Sequence, residues 1–192
     1  LISGKPSHFG LPDPDYKMYE SHPVVNSLFL HHIGHGDITV RPNIERLIDN
    51  GACFSDGSQA EYDLILQATG YKLHYPFIGK QHLNWVGDAP QLYLNVFNPL
   101  HPNLYVMGMV EAAGLGWQGR DEQAKLVANV IHLQLHQQQA ADAFFDKVKA
   151  QASQRIDGGM QYLPLERMAY YVHKADYLAA LSSEMQQLGQ GA

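Results

Sequence analysis

The sequence has one cysteine, Cys53, in 192 residues, and it has no long apolar run. A single cysteine excludes a framework of intrachain disulfides and a thiolate metal cluster. No apolar stretch approaches the ~18 residues that a membrane-spanning helix needs. Residues 1–10 also lack the charged start and the apolar stretch of a signal peptide. We therefore expect a cytoplasmic protein without a membrane partner.

Runs of basic residues are also missing. The chain carries 13 lysine and arginine residues against 19 acidic residues, which gives a formal charge of -6. Nucleic acid is therefore not an expected partner. Hydrophobic residues make up 45% of the chain and charged residues 17%, so the composition is typical of a globular protein and argues against disorder.

The sequence lacks a nucleotide-binding loop after an early strand, and it lacks a hydrolase motif. No G-x-G-x-x-G sequence follows an early strand, and no P-loop sequence occurs. Gly114-Leu115-Gly116, taken as a lone G-x-G pair, is weak evidence for a loop that holds a pyrophosphate. A G-x-S-x-G elbow is absent as well, so hydrolase chemistry has no support.

The first 70 residues are predicted to contain short strands and tight turns. Residues 1–36 are rich in proline, glycine and histidine, which favours irregular structure with one short helix. Dipeptides that favour turns then separate short apolar runs. The predicted elements are the helix Val24–His32, extended segments at Ile38–Val40, Ile44–Ile48, Ala52–Phe54 and Leu64–Leu66, and turns at Asn50-Gly51 and Asp56-Gly57.

The remainder is predicted to contain two strands followed by helices. Alternation and buried apolar runs predict the strands. The first long helix is expected to begin with Asp121 and Glu122 in its first turn and to bury a stripe of Ala124, Val127, Ala128, Ile131 and Leu135. The predicted strands are Leu92–Phe97 and Leu104–Gly108, and the predicted helices are Asp121–Gln139, Ala141–Ser153 and Asp176–Leu188.

Two segments carry a family resemblance. Glu61–Tyr71 combines an acidic residue, an apolar run and the tetrapeptide Ala68-Thr69-Gly70-Tyr71. It resembles the segment by which flavin-containing and Baeyer–Villiger monooxygenases pass from their NADPH domain back to their FAD domain. Pro102–Met109, followed by a helix with Gln123-Ala124, is similar to the last FAD-domain strand of these enzymes and the helix after it.

The resemblance implies an α/β fold. We expect a partial FAD/NAD(P)-binding fold of the flavoproteins with two dinucleotide-binding domains, with β-strands in the middle and a helical C-terminal region. Residues 1–70 would be the end of the NADPH-binding domain, residues 71–140 the C-terminal segment of the FAD-binding domain, and residues 141–192 a helical tail. Tyr170–Val172 and Tyr177–Leu181 are similar to the tail of bacterial members.

The resemblance also implies a function. In these enzymes NADPH reduces FAD, and a flavin hydroperoxide then oxygenates a small organic substrate. This chain, which opens on leucine, would be the C-terminal portion of such a monooxygenase and inactive alone, because it lacks the family's cofactor loops and its F-x-G-x-x-x-H fingerprint. The alternative is a non-catalytic remnant domain that binds a nucleotide or a protein partner.

The residues expected to face the cofactors follow from the same resemblance. They are Thr69, Gly70, Tyr71, Gly108, Met109, Val110, Glu111 and Gln123. Related flavoproteins place Gly-Asp where this chain has Gly108-Met109, so Glu111 would replace that acid. Trp85 and Trp117 are expected to be packing residues, with Trp117 nearer the flavin. The positive end of the helix near Asp121 would point to the flavin.

Three expectations concern other kinds of binding. His31, His32 and His35 could suggest a metal site, but the first two diverge on any regular element, and we predict none. No catalytic residue can be assigned from the sequence. A half-sheet would leave an unpaired edge and an apolar face, which predicts self-association in addition to a small-molecule substrate.

Overall fold

The structure is a computed structural model that describes residues 4–23 and 26–190. The described chain forms two compact units. One unit contains residues 4–17 and 26–70, and the other contains residues 18–23 and 71–190. The assignment of residues 1–70, 71–140 and 141–192 to cofactor domains stays a prediction.

The first unit contains one helix and one small sheet. Asn26 caps the helix, because its side-chain oxygen accepts hydrogen bonds of 3.0 and 3.1 Å from the N–H groups of Leu28 and Phe29. The predicted helix is therefore present, shifted by three residues, and Val24 and Val25 lie outside the described residues. The elements are a short 3-10 helix at Pro6–Phe9, helix α1 (Ser27–His35), and strands β1 (Ile44–Ile48), β2 (Gly51–Phe54) and β3 (Gln59–Glu61).

The small sheet confirms the predicted hairpin, but its turn is Asp49-Asn50, one residue before the predicted Asn50-Gly51. Strands β1, β2 and β3 lie in that order and pair antiparallel, with Ile48 opposite Gly51. A Cβ atom added to Gly51 would collide with the backbone carbonyl of Ala60. Glycine is therefore required here by the close approach of β3.

The prediction of a buried strand at Leu64–Leu66 is wrong. These residues lie outside any strand, and the side chains of Leu64 and Leu66 are 80% and 83% exposed. An apolar run becomes a buried strand only where a neighbouring strand and a second layer cover it. Within the described part of the chain no strand pairs with this segment. Its apolar side chains are left exposed.

The second unit is mostly helical. A short hairpin precedes the helices, and α2 packs against both α3 and α4. Its elements are strands β4 (Trp85–Val86) and β5 (Ala89–Pro90), helices α2 (Gly116–His136), α3 (Gln138–Gln151) and α4 (Lys174–Gln190), and short 3-10 helices at Lys80–Leu83 and Glu166–Tyr170. The fold is mixed helix and sheet, and both sheets among the described residues are antiparallel.

The N-terminal residues 18–23 belong to this second unit. The N–H of Leu163 donates to the carbonyl of Glu20 over 2.8 Å, and the Arg167 guanidinium donates to the hydroxyl of Ser21 over 2.8 Å. The Nδ1 atom of His22 lies 2.9 Å from the hydroxyl of Tyr171. We call residues 18–23 the strap.

Helix α2 buries a different face from the predicted one. Val127 is buried, but Ile131 and Leu135 of the predicted stripe are exposed. Packing between α3 and α4 selects a neighbouring stripe with the same helical spacing. Its members are Gly119, Gln123, Leu126, Val127, Val130 and Leu133.

The helix boundaries differ from the predicted ones mainly at the start of α2. This helix begins at Gly116, five residues before Asp121, so its first turn carries no acidic residue. Of the glycines expected to form a turn before Asp121, Gly116 and Gly119 lie inside the helix, and only Gly114 lies in a turn. None of the helices within residues 4–23 and 26–190 has the length and apolar character needed to cross a membrane.

The strands predicted at Leu92–Phe97 and Leu104–Gly108 are not formed. Tyr93 and Phe97 instead close a turn, in which Leu94 and Asn95 adopt left-handed φ values of 53° and 58°. Tyr105 forms a single bridge to Phe97. Tyr93, Leu94, Val96 and Phe97 pack into a core with α2 and α3, whereas Leu92 and Val106 belong to a second cluster and Met107 is 46% exposed.

Candidate functional site

A turn beginning at Gly108 forms the centre of the predicted site. Gly108 has a φ of 78°, a left-handed conformation that glycine adopts without a steric penalty. Its N–H donates to Oε1 of Gln123 over 3.1 Å, and its carbonyl accepts from the N–H of Val110 over 2.8 Å. We call residues 108–111 the Gly108 turn.

Gln123 connects this turn to helix α4. The side chain of Gln123 is fully buried, and its Nε2 donates to the hydroxyl of Tyr177 over 2.5 Å. That hydroxyl donates in turn to the carbonyl of Leu94 over 2.8 Å. Burial raises the pKa of Tyr177 well above its ordinary value of 10.0, so the phenol stays neutral and remains a donor.

Arg120 joins the turn to the first residues of α2. Its Nη2 donates to the carbonyl of Val110 and to Oε1 of Glu111, both over 3.3 Å, and its Nη1 donates to the carbonyl of Gly116 over 2.8 Å. Both charged side chains are partly exposed. The negative charge of Glu111 is therefore balanced while one of its carboxylate oxygens, Oε2, takes no part in this ion pair.

The segment before α4 also holds this region. The N–H of Val172 donates to the carbonyl of Glu111 over 2.8 Å, and the N–H of Glu111 donates to the carbonyl of Tyr170 over 3.4 Å. Further along, the ammonium group of Lys174 donates to the carbonyl of Gly114 over 2.6 Å. Residues distant in sequence thus fix the backbone between the Gly108 turn and α2.

The start of α2 carries the G-x-G-x-x-G spacing after all. Gly119 is the third glycine of this spacing, three residues after Gly116, so taking Gly114-Leu115-Gly116 as a lone pair is wrong. Gly114 and Gly116 have φ values of 71° and 57°, and a Cβ on Gly119 would collide with the side chain of Leu115. No strand leads directly into these glycines, which distinguishes them from the usual dinucleotide loop.

The structure brings five of the predicted residues together, but not all with exposed side chains. Gly108, Met109, Val110, Glu111 and Gln123 lie in one region of the second unit. Met109 and Val110 point into the core, and both ends of the Gln123 amide are engaged internally. These three residues could therefore give a bound cofactor only backbone contacts or internal support, whereas Glu111 could contact it with its side chain.

The other predicted residues lie elsewhere. Thr69 and Gly70 belong to the first unit, and Tyr71, which begins the second part of the other unit, is 98% exposed. Trp117 is 85% exposed, so the expectation that it packs in the core is wrong. Trp85 is partly buried and lies under the ammonium group of Lys80, 4.5 Å from the ring centre.

The histidines of α1 make local contacts. The rings of His31 and His35 lie 4.1 Å apart, and the Nδ1 of His32 is 2.9 Å from the carboxylate of Asp37. Among the described residues no three or more side chains of the metal-ligating types are arranged to hold an ion.

Sequence reasoning missed Arg120, Lys174 and Tyr177. Arg120 lies one helical turn after Gly116, a spacing that could have suggested its bond to that carbonyl. Tyr177 was recognised only as part of a C-terminal tail. Its contacts join residues 54 and 83 positions apart, and no local pattern carries that information.

Comparison with known proteins gives a family match over nearly the whole chain. The family described as FMO-like, flavin-binding monooxygenase-like, matches residues 5–188. The chain is 31% identical over 112 residues to flavin-containing monooxygenase 3 from Rattus norvegicus, covering 57% of this chain and 21% of that protein. It is 31% identical over 109 residues to flavin-containing monooxygenase 5 from Cavia porcellus, covering 55% and 20% respectively.

A third relative agrees with these two. The chain is 30% identical over 99 residues to flavin-containing monooxygenase 3 from Oryctolagus cuniculus, covering 50% of this chain and 19% of that protein. The chain thus spans about a fifth of the length of the curated relatives it matches.

Proposed function

The chain belongs to the flavin-binding monooxygenase-like family, and we propose that it is the C-terminal portion of an FAD- and NADPH-dependent monooxygenase that oxygenates a small organic substrate. The observation that carries this proposal is the Gly108 turn. Gln123, Arg120 and the segment before α4 hold this turn near the start of α2. Its residues are among those that the family resemblance assigns to flavin binding. When bound, FAD and NADPH supply the redox chemistry, and the protein supplies position and shape.

Several features of the second unit suit a flavin. Gly108 has no side chain, and a Cβ there would have only Arg120 within 4 Å, so a planar ring can approach the backbone. Helix α2 begins beside this turn, and Leu115, its N-cap residue, makes no side-chain capping bond. The positive end of the helix is therefore available to stabilise negative charge on the ring.

Glu111 is the side chain best placed to bind the cofactor. Arg120 binds its Oε1 atom and orients the carboxylate, which is half exposed. We propose that Oε2 accepts a hydrogen bond from a ribityl hydroxyl, the role that the aspartate of a Gly-Asp pair has in related flavoproteins. Met109 points into the core and cannot take this role.

The chain alone is proposed to bind flavin weakly and to lack turnover. The residues resembling the family's NADPH-to-FAD passage, Thr69 and Gly70, belong to the other unit. No loop for a pyrophosphate follows an early strand, so the phosphate groups of either cofactor lack their usual partners. Catalytic turnover is expected to need the part of the longer relatives that this chain does not span.

A flavin titration tests the proposal. FAD is added to the purified chain while flavin absorption and fluorescence are recorded, and we expect quenching with a shifted spectrum. Gly108→Ala should weaken binding at least about tenfold, because the added Cβ strains a left-handed φ and fills the approach to the backbone. NADPH is then added to any complex that forms.

The matched control is Gly57→Ala. Gly57 also has a left-handed φ, 82°, with no atom within 4 Å of an added Cβ, but it lies in a turn of the first unit. Its backbone strain is comparable, so FAD affinity should stay within about twofold of wild type if the site is at Gly108. Absence of flavin binding at high FAD concentration, or equal losses in the two variants, would contradict a flavin site here.

A further inference from the structure

We propose that Tyr177 of α4 is a positioning residue for the Gly108 turn, acting through the side-chain amide of Gln123. This proposal rests on the proposed function only in its expected effect on flavin affinity. Its basis is a series of hydrogen bonds that runs from the carbonyl of Leu94 through Tyr177 and Gln123 to the N–H of Gly108, buried as far as Gln123 and partly buried at Gly108.

The donor-to-acceptor direction of these hydrogen bonds is fixed at the Leu94 end. A backbone carbonyl can only accept, so the Tyr177 hydroxyl must donate its single hydrogen to Leu94. The phenol oxygen is then left as an acceptor, and the Gln123 atom facing it must be the Nε2 donor. The Oε1 atom of Gln123 consequently faces the N–H of Gly108, as observed.

The opposite orientation of the Gln123 amide is excluded. A flipped amide would place Nε2 against the N–H of Gly108, two donors facing each other, and Oε1 against a phenol whose hydrogen is already used. Tyr177 and Gln123 are both fully buried, so water cannot repair the mismatch. The carbonyl of Leu94 therefore determines which atom is offered to Gly108.

This arrangement makes the phenol hydroxyl a determinant of where the turn lies. Glycine has many backbone states open to it, and a fixed acceptor selects one of them for Gly108. A phenylalanine at position 177 would fill nearly the same volume but would leave the Gln123 amide without a partner at one end. The turn would then lose a fixed acceptor while the core stays filled.

Amide hydrogen exchange, followed by NMR on the whole chain, tests the positioning. In Tyr177→Phe the exchange of the Gly108 N–H should accelerate at least about tenfold relative to neighbouring core amides, since one buried hydrogen bond is lost locally. Gln123→Met removes the acceptor itself with little change in volume and should give the same local acceleration.

Tyr93→Phe is the matched control. Tyr93 is also buried and its hydroxyl also donates to α4, over 2.9 Å to Glu184, but no hydrogen bond joins it to Gln123 or Gly108. Its loss should lower global stability without a selective effect at Gly108. An unchanged Gly108 exchange rate in Tyr177→Phe, or the same selective change in Tyr93→Phe, would overturn the proposal.

Flavin affinity separates this inference from the proposed function. If the wild-type chain binds FAD, Tyr177→Phe should raise the dissociation constant at least about fivefold and Tyr93→Phe should not, because only the first displaces the turn. Faster Gly108 exchange with an unchanged flavin affinity would sink the link to the cofactor. A wild-type chain that binds no FAD counts against the proposed function alone, while the exchange rates still decide whether Tyr177 positions Gly108.

Discussion

Tyr93 and Lys147 bind the same oxygen atom of Glu184. The Tyr93 hydroxyl donates to this oxygen over 2.9 Å, and the Lys147 ammonium group of α3 forms an ion pair with it. Glu184 is only 4% exposed, and its buried charge is balanced by the partly exposed ammonium group and by the hydroxyl donor. The carboxylate therefore joins α3, α4 and the turn before Phe97 at one point.

Glu184→Ala should destabilise the second unit by about 2–4 kcal/mol, because the buried Tyr93 hydroxyl loses its acceptor and Lys147, which also donates to Gln187, loses its ion-pair partner. The measurement is the free energy of unfolding in urea. The control is Asp146→Ala, which removes an exposed ion pair with Lys149 and should cost no more than about 0.5 kcal/mol. Equal effects of the two substitutions would contradict a structural role for the buried carboxylate.

Stability should fall at alkaline pH. Burial raises the pKa of Tyr93, with the nearby charge of Glu184 adding to the effect, and burial likewise raises the pKa of Tyr177. A folded-state pKa above the unfolded value of 10.0 means that the stabilisation is complete below pH 10 and is lost as the pH rises further. Each group contributes a slope of at most about 1.4 kcal/mol per pH unit.

The test is the unfolding free energy between about pH 9 and about pH 11. Tyr177→Phe removes one of the tyrosines whose pKa is raised in the fold, so its stability should decline less steeply than that of wild type. Tyr71→Phe, which changes an almost fully exposed tyrosine, is the control and should follow the wild-type curve. A Tyr177→Phe curve parallel to wild type would show that this phenol does not remain protonated in the fold.

Phe97→Ala should cost about 3–5 kcal/mol through the cavity it leaves. The ring is fully buried and meets Phe144 and Tyr105 edge to face, with ring centres 4.9 and 5.9 Å apart. Phe77→Ala changes an exposed ring and should stay within about 0.5 kcal/mol of wild type. A cost below about 1 kcal/mol at position 97 would be inconsistent with a core centred on this residue.

Self-association should depend on the exposed apolar segment Leu64–Leu66. Replacing both Leu64 and Leu66 by lysine puts charge on a segment that is free to pair with a second copy, and should reduce the average mass measured by light scattering at high concentration. Leu28→Lys, an exposed leucine of α1, is the control and should leave the mass unchanged. A wild-type chain that is monomeric at high concentration would contradict the prediction.

The parts of the fold that could be predicted from the sequence depend on local chemistry. Asn50-Gly51 predicts the hairpin of β1 and β2, although the turn itself lies one residue earlier, at Asp49-Asn50, and Gly51 begins β2. The three long helices follow from apolar spacing. The buried face of α2 did not follow, because both neighbouring stripes contain apolar residues and only packing against α3 and α4 selects one.

The cofactor-facing residues stay a prediction, and the orientation of their side chains could not be predicted from the sequence. The family resemblance gave Gly108 to Glu111 as a region, and the structure brings these residues together with Gln123. That Gln123 faces inward depends on Tyr177 and on the carbonyl of Leu94, which lie far away in sequence. The bend at Leu94 and Asn95 is held by tertiary contacts, and although asparagine tolerates a left-handed φ, leucine does not signal one.

The strap has a consequence for how this protein can be divided. Residues 18–23 are part of the second unit, so most of the first unit is an insertion within the second unit's sequence. Cutting the chain at Gly70 would remove Ser21 and His22 from Arg167 and Tyr171, and would leave both polar groups without their partners. A version of the second unit that keeps its native contacts must carry the strap as a separate peptide or rejoin it through a short artificial linker.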